Sequence, residues 1–174
     1  LWTIDEATDI NHLVNISSVG YSTLFLNYPV AIPDGVAAYT ANEIIDDKWL
    51  NMQEITSGVI PAKTAVVLRG DAGIYNFALS NEPRTVVEDI FTGTLYKQTI
   101  TKESDKYYVL ANVDITPDDG EDNKEVGFYN AVSGNNTDEF INAANKAYLH
   151  IPEASKTVFF GFRFEDGETT GVGE

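Results

Sequence analysis

The chain has 174 residues, which is the ordinary size of one domain, and we expect one domain over residues 1–174. Hydrophobic residues make up 43% of the chain, enough to bury a core, whereas 27 acidic against 11 basic residues give a net charge of −16. That charge excludes nucleic acid as a partner, and the absence of cysteine excludes disulfides, thiolate nucleophiles and cysteine zinc sites. No apolar run approaches the roughly 18 residues of a transmembrane helix, so we expect no membrane insertion.

Period-two alternation of apolar and polar residues recurs along the chain and indicates β-strands, because successive strand side chains point to opposite faces. The predicted strands lie at 21–26, 65–69, 74–79, 106–111, 126–132 and 158–164. Short strands at this spacing, separated by turn residues, predict an all-β antiparallel sandwich. The pattern leaves jelly-roll and immunoglobulin-like topologies both open.

Turn chemistry punctuates these strands. Gly35 in the segment 33–35 tolerates a positive φ, and the segment 69–73 predicts a hairpin between its two flanking strands. The segment 138–144 is the one candidate helix, of a single turn. A short internal echo relates 62–68 to 144–149, although two strand starts can match this well by chance.

The alternation of residues in the last predicted strand indicates which of its faces points to the core. Its even positions are Phe160, Phe162 and Phe164, whereas Arg163 and Glu165 occupy odd positions. A register shift of one residue would bury the arginine and expose the phenylalanines. We therefore expect the three rings to face the core and the charged pair to face solvent.

Aromatic side chains are the best candidates for ligand contact. Trp49 follows the acidic residues Glu43, Asp46 and Asp47 in a predicted loop, and its flat face could stack on a sugar ring. Trp49 is therefore the predicted ligand-binding residue. The three acids beside it suggest a weaker alternative, a glycoside hydrolase that works with two carboxylates.

Other chemistry has little support in the sequence. The acidic segment 114–123 could hold calcium, but its spacing departs from the EF-hand pattern, so we expect a solvated loop and no tight metal site. His12 and His150 have no recognisable catalytic partners, and we expect both to be ordinary surface or hydrogen-bonded residues. We expect no catalytic residues and no cofactor.

A family resemblance rests on several segments taken together. They are 20–26, 29–33, 36–40, 59–68, 107–110, 127–129, 145–149 and the terminal phenylalanine-rich strand. Their order resembles a β-rich domain of secreted and surface proteins of gut Bacteroidetes, often found near the C-terminus of adhesin-like and leucine-rich-repeat proteins. The resemblance covers about Gly20 to Thr170, apart from the acidic stretch 120–124, and supplies no catalytic or ligand residues.

The resemblance implies export and a role at the cell surface, and the first residue, Leu1, fits a fragment of a longer precursor. Together with the residues above, it predicts a non-catalytic, secreted or cell-surface interaction module, adhesin-like or glycan-binding. Its partner would be a neutral polysaccharide or a protein, since a net charge of −16 repels polyanions. The alternative is a structural spacer or assembly domain of a surface protein.

Overall fold

The computed structural model describes residues 11–81, 89–101, 107–114, 124–131, 139–151 and 159–169. These residues form fifteen β-strands and no helix, which confirms the all-β prediction. The strands are β1 (Asn11–Ile16), β2 (Tyr21–Leu24), β3 (Val30–Ala31), β4 (Val36–Ile45), β5 (Trp49–Glu54), β6 (Val59–Ile60), β7 (Val66–Gly70), β8 (Gly73–Ala78), β9 (Phe91–Thr94), β10 (Gln98–Thr101), β11 (Tyr107–Asp114), β12 (Lys124–Asn130), β13 (Glu139–Asn142), β14 (Lys146–His150) and β15 (Phe159–Arg163).

Nine strands form one large sheet in the order β2-β7-β4-β5-β15-β12-β11-β14-β9, and three two-stranded sheets pair β1 with β8, β3 with β6, and β10 with β13. Neighbours are antiparallel except β5 and β15, which run parallel. One face of the large sheet encloses the central core, which includes Leu50, Phe128, Leu149, Phe160 and Phe162. The layering is therefore that of a strongly curved sheet with short sheets packed outside it.

The large sheet curls until its edge strand β2 meets β14. The Phe25 amide donates a hydrogen bond to the Asn145 carbonyl at 2.9 Å, and the Ala147 amide donates to Thr23 Oγ1 at 3.1 Å. Phe25 also packs over Gly93, where an added Cβ would lie 2.5 Å from the Phe25 side chain. Only glycine allows Phe25 to lie this close to the backbone at position 93, so Gly93 favours the nearly closed sheet.

The two halves of the chain repeat one topology. The orders β2-β7-β4-β5 and β9-β14-β11-β12 correspond strand for strand, as do the pairs β3-β6 and β10-β13. Strands β1 and β8 start the two halves and pair with each other, and β15 lies between the halves. The echo between 62–68 and 144–149 falls on equivalent turns, where Lys63 and Asn145 both adopt positive φ, 57° and 60°. It therefore marks a structural repeat.

Two outer cores cover the flanks of the large sheet. The first lies under β1, β8, β3 and β6 and includes Val14, Val66 and Phe77. The second lies under β10 and β13 and consists of Ile100, Tyr107, Ala131 and Phe140. Strand β11 is consequently apolar on both faces, as its sequence indicates.

A buried carboxyl group links the halves of the chain. Asp89 Oδ1 accepts hydrogen bonds from the amides of Ala41, at 3.4 Å, and Phe91, at 3.2 Å. Its other oxygen, Oδ2, is buried and has no hydrogen-bond partner among the described residues. Burial therefore raises the pKa of Asp89 to about 8, although the two amide hydrogen bonds act in the opposite direction.

The strands confirm one local prediction and contradict two others. Phe160, Phe162 and Phe164 are buried while Arg163 and Glu165 are exposed, as predicted. The predicted hairpin at 69–73 is wrong: β7 and β8 do not pair, because the turn carries the chain from the large sheet to a separate one. The predicted helix is also wrong where it is described, since residues 139–142 form β13 and bury Phe140 and Asn142 in alternation.

Candidate functional site

The middle of the large sheet has an outer face that no described element covers. The two outer cores lie over β2, β7 and β4 on one side and over β11 and β14 on the other. Strands β5, β15 and β12 lie between these flanks. Their outward side chains therefore form the surface that we call the exposed sheet face, defined by Trp49, Asn51, Gln53, Tyr129, Phe159 and Arg163.

Three aromatic side chains occupy this exposed sheet face, one from each strand. Phe159 is the register partner of Tyr129, and the two rings stack with centroids 4.4 Å apart and planes at 26°. Trp49 lies opposite Gly161, the residue two positions after Phe159 on the same side of β15. All three aromatic residues are half-buried. The strands thus present a row of partly exposed rings, interrupted by a glycine.

Local geometry fixes each of these rings. Trp49 begins β5 directly after a tight turn in which Asp46 and Asp47 have φ of 54° and 53°, so it lies on a strand rather than in the predicted loop. The Tyr129 hydroxyl donates to the Glu125 carbonyl at 2.7 Å, which lays its ring along β12, and burial raises its pKa. Phe159 packs over Gly127, where a Cβ would overlap the ring.

A polar cleft of about 540 Å³ adjoins the aromatic row on the same strands. Its hydrogen-bonding side chains are those of Glu43, Asn51, Gln53, Arg163 and Glu165. They offer guanidinium and amide donors together with carboxylate and amide acceptors, which suits a ligand rich in hydroxyl groups.

The sheet also explains how these polar groups are held. A register shift in β4 between Ala41 and Ile44 turns Glu43 into the cleft. Asn51 Nδ2 donates to Asn42 Oδ1 at 2.8 Å, which orients the Asn51 amide. Among the described residues Arg163 forms no ion pair, so its guanidinium group is available to donate to a ligand.

The acidic residues that suggested hydrolysis are separated by the fold. Glu43 lines the cleft with Glu165, a residue that the sequence reasoning did not connect with it. Asp46 and Asp47 form the hairpin turn instead. The carboxylate alternative therefore reduces to the pair Glu43 and Glu165.

The remaining sequence candidates lie elsewhere. His150 stacks on Tyr107 with centroids 4.2 Å apart, and His12 lies on β1, where partial burial and the Lys146 charge lower its pKa. In the described part of the chain no three His, Cys, Asp or Glu side chains form a metal-binding group. The acidic loop lies outside the described residues beyond Asp114, and so does Trp2.

The sequence singled out Trp49 alone among the residues of the exposed sheet face. It missed Phe159 and Tyr129 because their position depends on which strands become neighbours. The alternation of Trp49, Asn51 and Gln53 along β5 was a usable signal, since side chains two apart share a face.

No family model, curated protein or solved structure matches the chain significantly. The described residues also contain no helix long and apolar enough to span a bilayer.

Proposed function

We propose that this protein is a non-catalytic cell-surface module that binds a neutral polysaccharide on its exposed sheet face. The observation that carries the proposal is the row of Trp49, Phe159 and Tyr129 on three adjacent strands that no described element covers. Sugar rings present apolar C–H faces, and flat aromatic side chains are suited to stack against them. The spacing between neighbouring strands, about 4.8 Å, lets an extended chain contact more than one ring.

The polar cleft supports the same ligand class. Asn51, Gln53 and Arg163 supply donors beside the rings, and Glu43 and Glu165 supply acceptors for sugar hydroxyls. The same two carboxylates, within a chain of net charge −16, repel acidic polysaccharides. The ligand is therefore a neutral glycan, and the cell surface or the secreted fraction is the place where such a module acts.

Binding to a panel of soluble neutral polysaccharides tests this proposal. The panel consists of β-1,3-glucan, β-1,4-glucan, xylan, mannan and α-glucan, measured by affinity electrophoresis and isothermal titration calorimetry. Trp49→Ala and Phe159→Ala should each weaken the affinity by about two- to tenfold, since a stacked aromatic contact contributes about 0.5–1.5 kcal/mol. Tyr96→Ala is the matched control, because Tyr96 is 78% exposed and lies outside this face.

Two outcomes would contradict the proposal. If no neutral polysaccharide binds, the result favours the alternative, a structural spacer domain. If a glycan is hydrolysed and Glu43→Gln or Glu165→Gln abolishes turnover, the module is an enzyme that uses the cleft carboxylates.

A further inference from the structure

A second cavity lies at the seam where β2 meets β14, apart from the exposed sheet face. Its volume is about 460 Å³, within the range of small-molecule sites. The apolar part of its lining comes from β11, β13 and β14 and includes Val109, Leu110, Phe140 and Ala147. The polar part consists of Tyr21, Ser22, Thr23, Asn142 and Lys146.

Lys146 supplies a positive charge inside this seam cavity. Its Nζ donates to Ser22 Oγ at 2.9 Å and to the Thr23 carbonyl at 3.0 Å. An ammonium group has three N–H donors, so one donor remains for a ligand. Within the described residues Lys146 forms no ion pair, although the chain has 27 acidic residues. Burial lowers the pKa of Lys146, because the charged ammonium group is less stable away from water.

The surrounding polar groups are fixed before any ligand arrives. Asn142 is 5% exposed, and its Nδ2 donates to Thr94 Oγ1 at 2.8 Å and to the Lys146 carbonyl at 2.9 Å. The Ser22 hydroxyl accepts from Lys146, which leaves its own proton to donate. A rigid pair of donors at one end of an apolar cavity lowers the ordering cost of binding.

We propose that the seam cavity binds a small monocarboxylic acid with an apolar body, with its carboxylate on Lys146 Nζ and the Ser22 hydroxyl. One ammonium group matches one negative charge, and the apolar walls match a hydrocarbon body rather than a sugar. The net charge of −16 repels an acidic polysaccharide, which carries many negative charges, but a monocarboxylate carries a single charge that the Lys146 ammonium group neutralises. The proposal is independent of the glycan-binding face.

Titration with hexanoate and benzoate, followed by calorimetry and by amide chemical shifts, tests this site. Hexanamide has the same apolar body without the charge, and inorganic phosphate has charge without the apolar body. We expect hexanoate and benzoate to bind saturably. Hexanamide should bind at least about tenfold more weakly, since a charge-assisted hydrogen bond contributes about 1.5–3 kcal/mol. Phosphate should also bind more weakly, because it has no apolar body to bury against the cavity walls.

Two variants locate the site. Lys146→Met should weaken hexanoate binding about tenfold or more, whereas Lys97→Met, at an exposed lysine outside the cavity, should not change it. Because Lys146 also bridges the seam, Ala143→Phe provides a second test. Ala143 lines the cavity yet is exposed, so a phenylalanine there should block the opening without changing the melting temperature.

The proposal is wrong if neither carboxylate binds the wild-type protein at millimolar concentration. It is equally wrong if hexanamide or phosphate binds as well as hexanoate, or if Ala143→Phe binds hexanoate with unchanged affinity.

Discussion

Replacing Phe162 by alanine removes a fully enclosed ring from the last strand. Phe162 is 0% exposed, and its ring centroid lies 5.4 Å from that of Tyr21, 6.0 Å from Phe128 and 6.3 Å from Phe164. Tyr21 and Phe128 are held by β2 and β12 and cannot collapse into the space. We therefore expect Phe162→Ala to lower the free energy of unfolding by about 4–5 kcal/mol, the upper end for such a deletion.

Phe159→Ala is the matched control, because it removes the same ring from the opposite face of the same strand. Phe159 is half-buried and stacks on Tyr129 alone among the described rings. Its loss should cost about 1–2 kcal/mol. At about 2–4 °C per kcal/mol for a domain of this size, the two melting temperatures should differ by several degrees.

Urea unfolding followed by circular dichroism measures both costs, and equal m-values would show that the two variants unfold comparably. A larger cost for Phe159→Ala than for Phe162→Ala would refute the assigned facing of β15, and with it the exposed sheet face.

Three further results are expected. The pKa of Asp89 is about 8 in the folded protein and about 3.9 in the unfolded chain, so the stability that this group contributes is complete below about pH 4 and is lost as the pH rises to about 8. Urea melts across that pH window should therefore show Asp89→Asn gaining stability relative to wild type. A difference in unfolding free energy that does not change with pH would contradict the raised pKa. Gly127→Ala should cost about 1–3 kcal/mol, because its Cβ would overlap the Phe159 ring and the Phe160 carbonyl, and an unchanged melting temperature would argue against this packing. Millimolar calcium should change the melting temperature no more than magnesium at equal ionic strength, and a rise reversed by a chelator would reveal a site in the segment 114–122.

Local patterns were sufficient to predict the all-β class and the facing of β15. Alternation is a property of one strand, and the burial of Phe160, Phe162 and Phe164 follows from it directly. The same reasoning failed at 69–73, where turn residues are present but the following strand pairs with β1. Turn chemistry indicates a change of direction and carries no information about the strand's eventual neighbour.

The candidate site was harder to predict for the same reason. Trp49 could be named from its residue type, whereas Phe159 and Tyr129 join it only because β15 inserts between β5 and β12. The hairpin turn at Asp46 and Asp47 was also missed, because positive φ at two residues usually calls for glycine or asparagine. Aspartate tolerates this conformation less often, so the sequence signal was weak.

The most direct test of the account is the fluorescence of Trp49 during glycan binding. Trp2→Phe leaves Trp49 as the sole tryptophan, so its emission reports on the exposed sheet face alone. We predict that a neutral polysaccharide from the panel shifts this emission saturably and protects Trp49 from acrylamide quenching, at the concentration that calorimetry gives for binding. Binding seen by calorimetry with no change in Trp49 emission or quenching would contradict the account, because the ligand would then lie elsewhere on the protein.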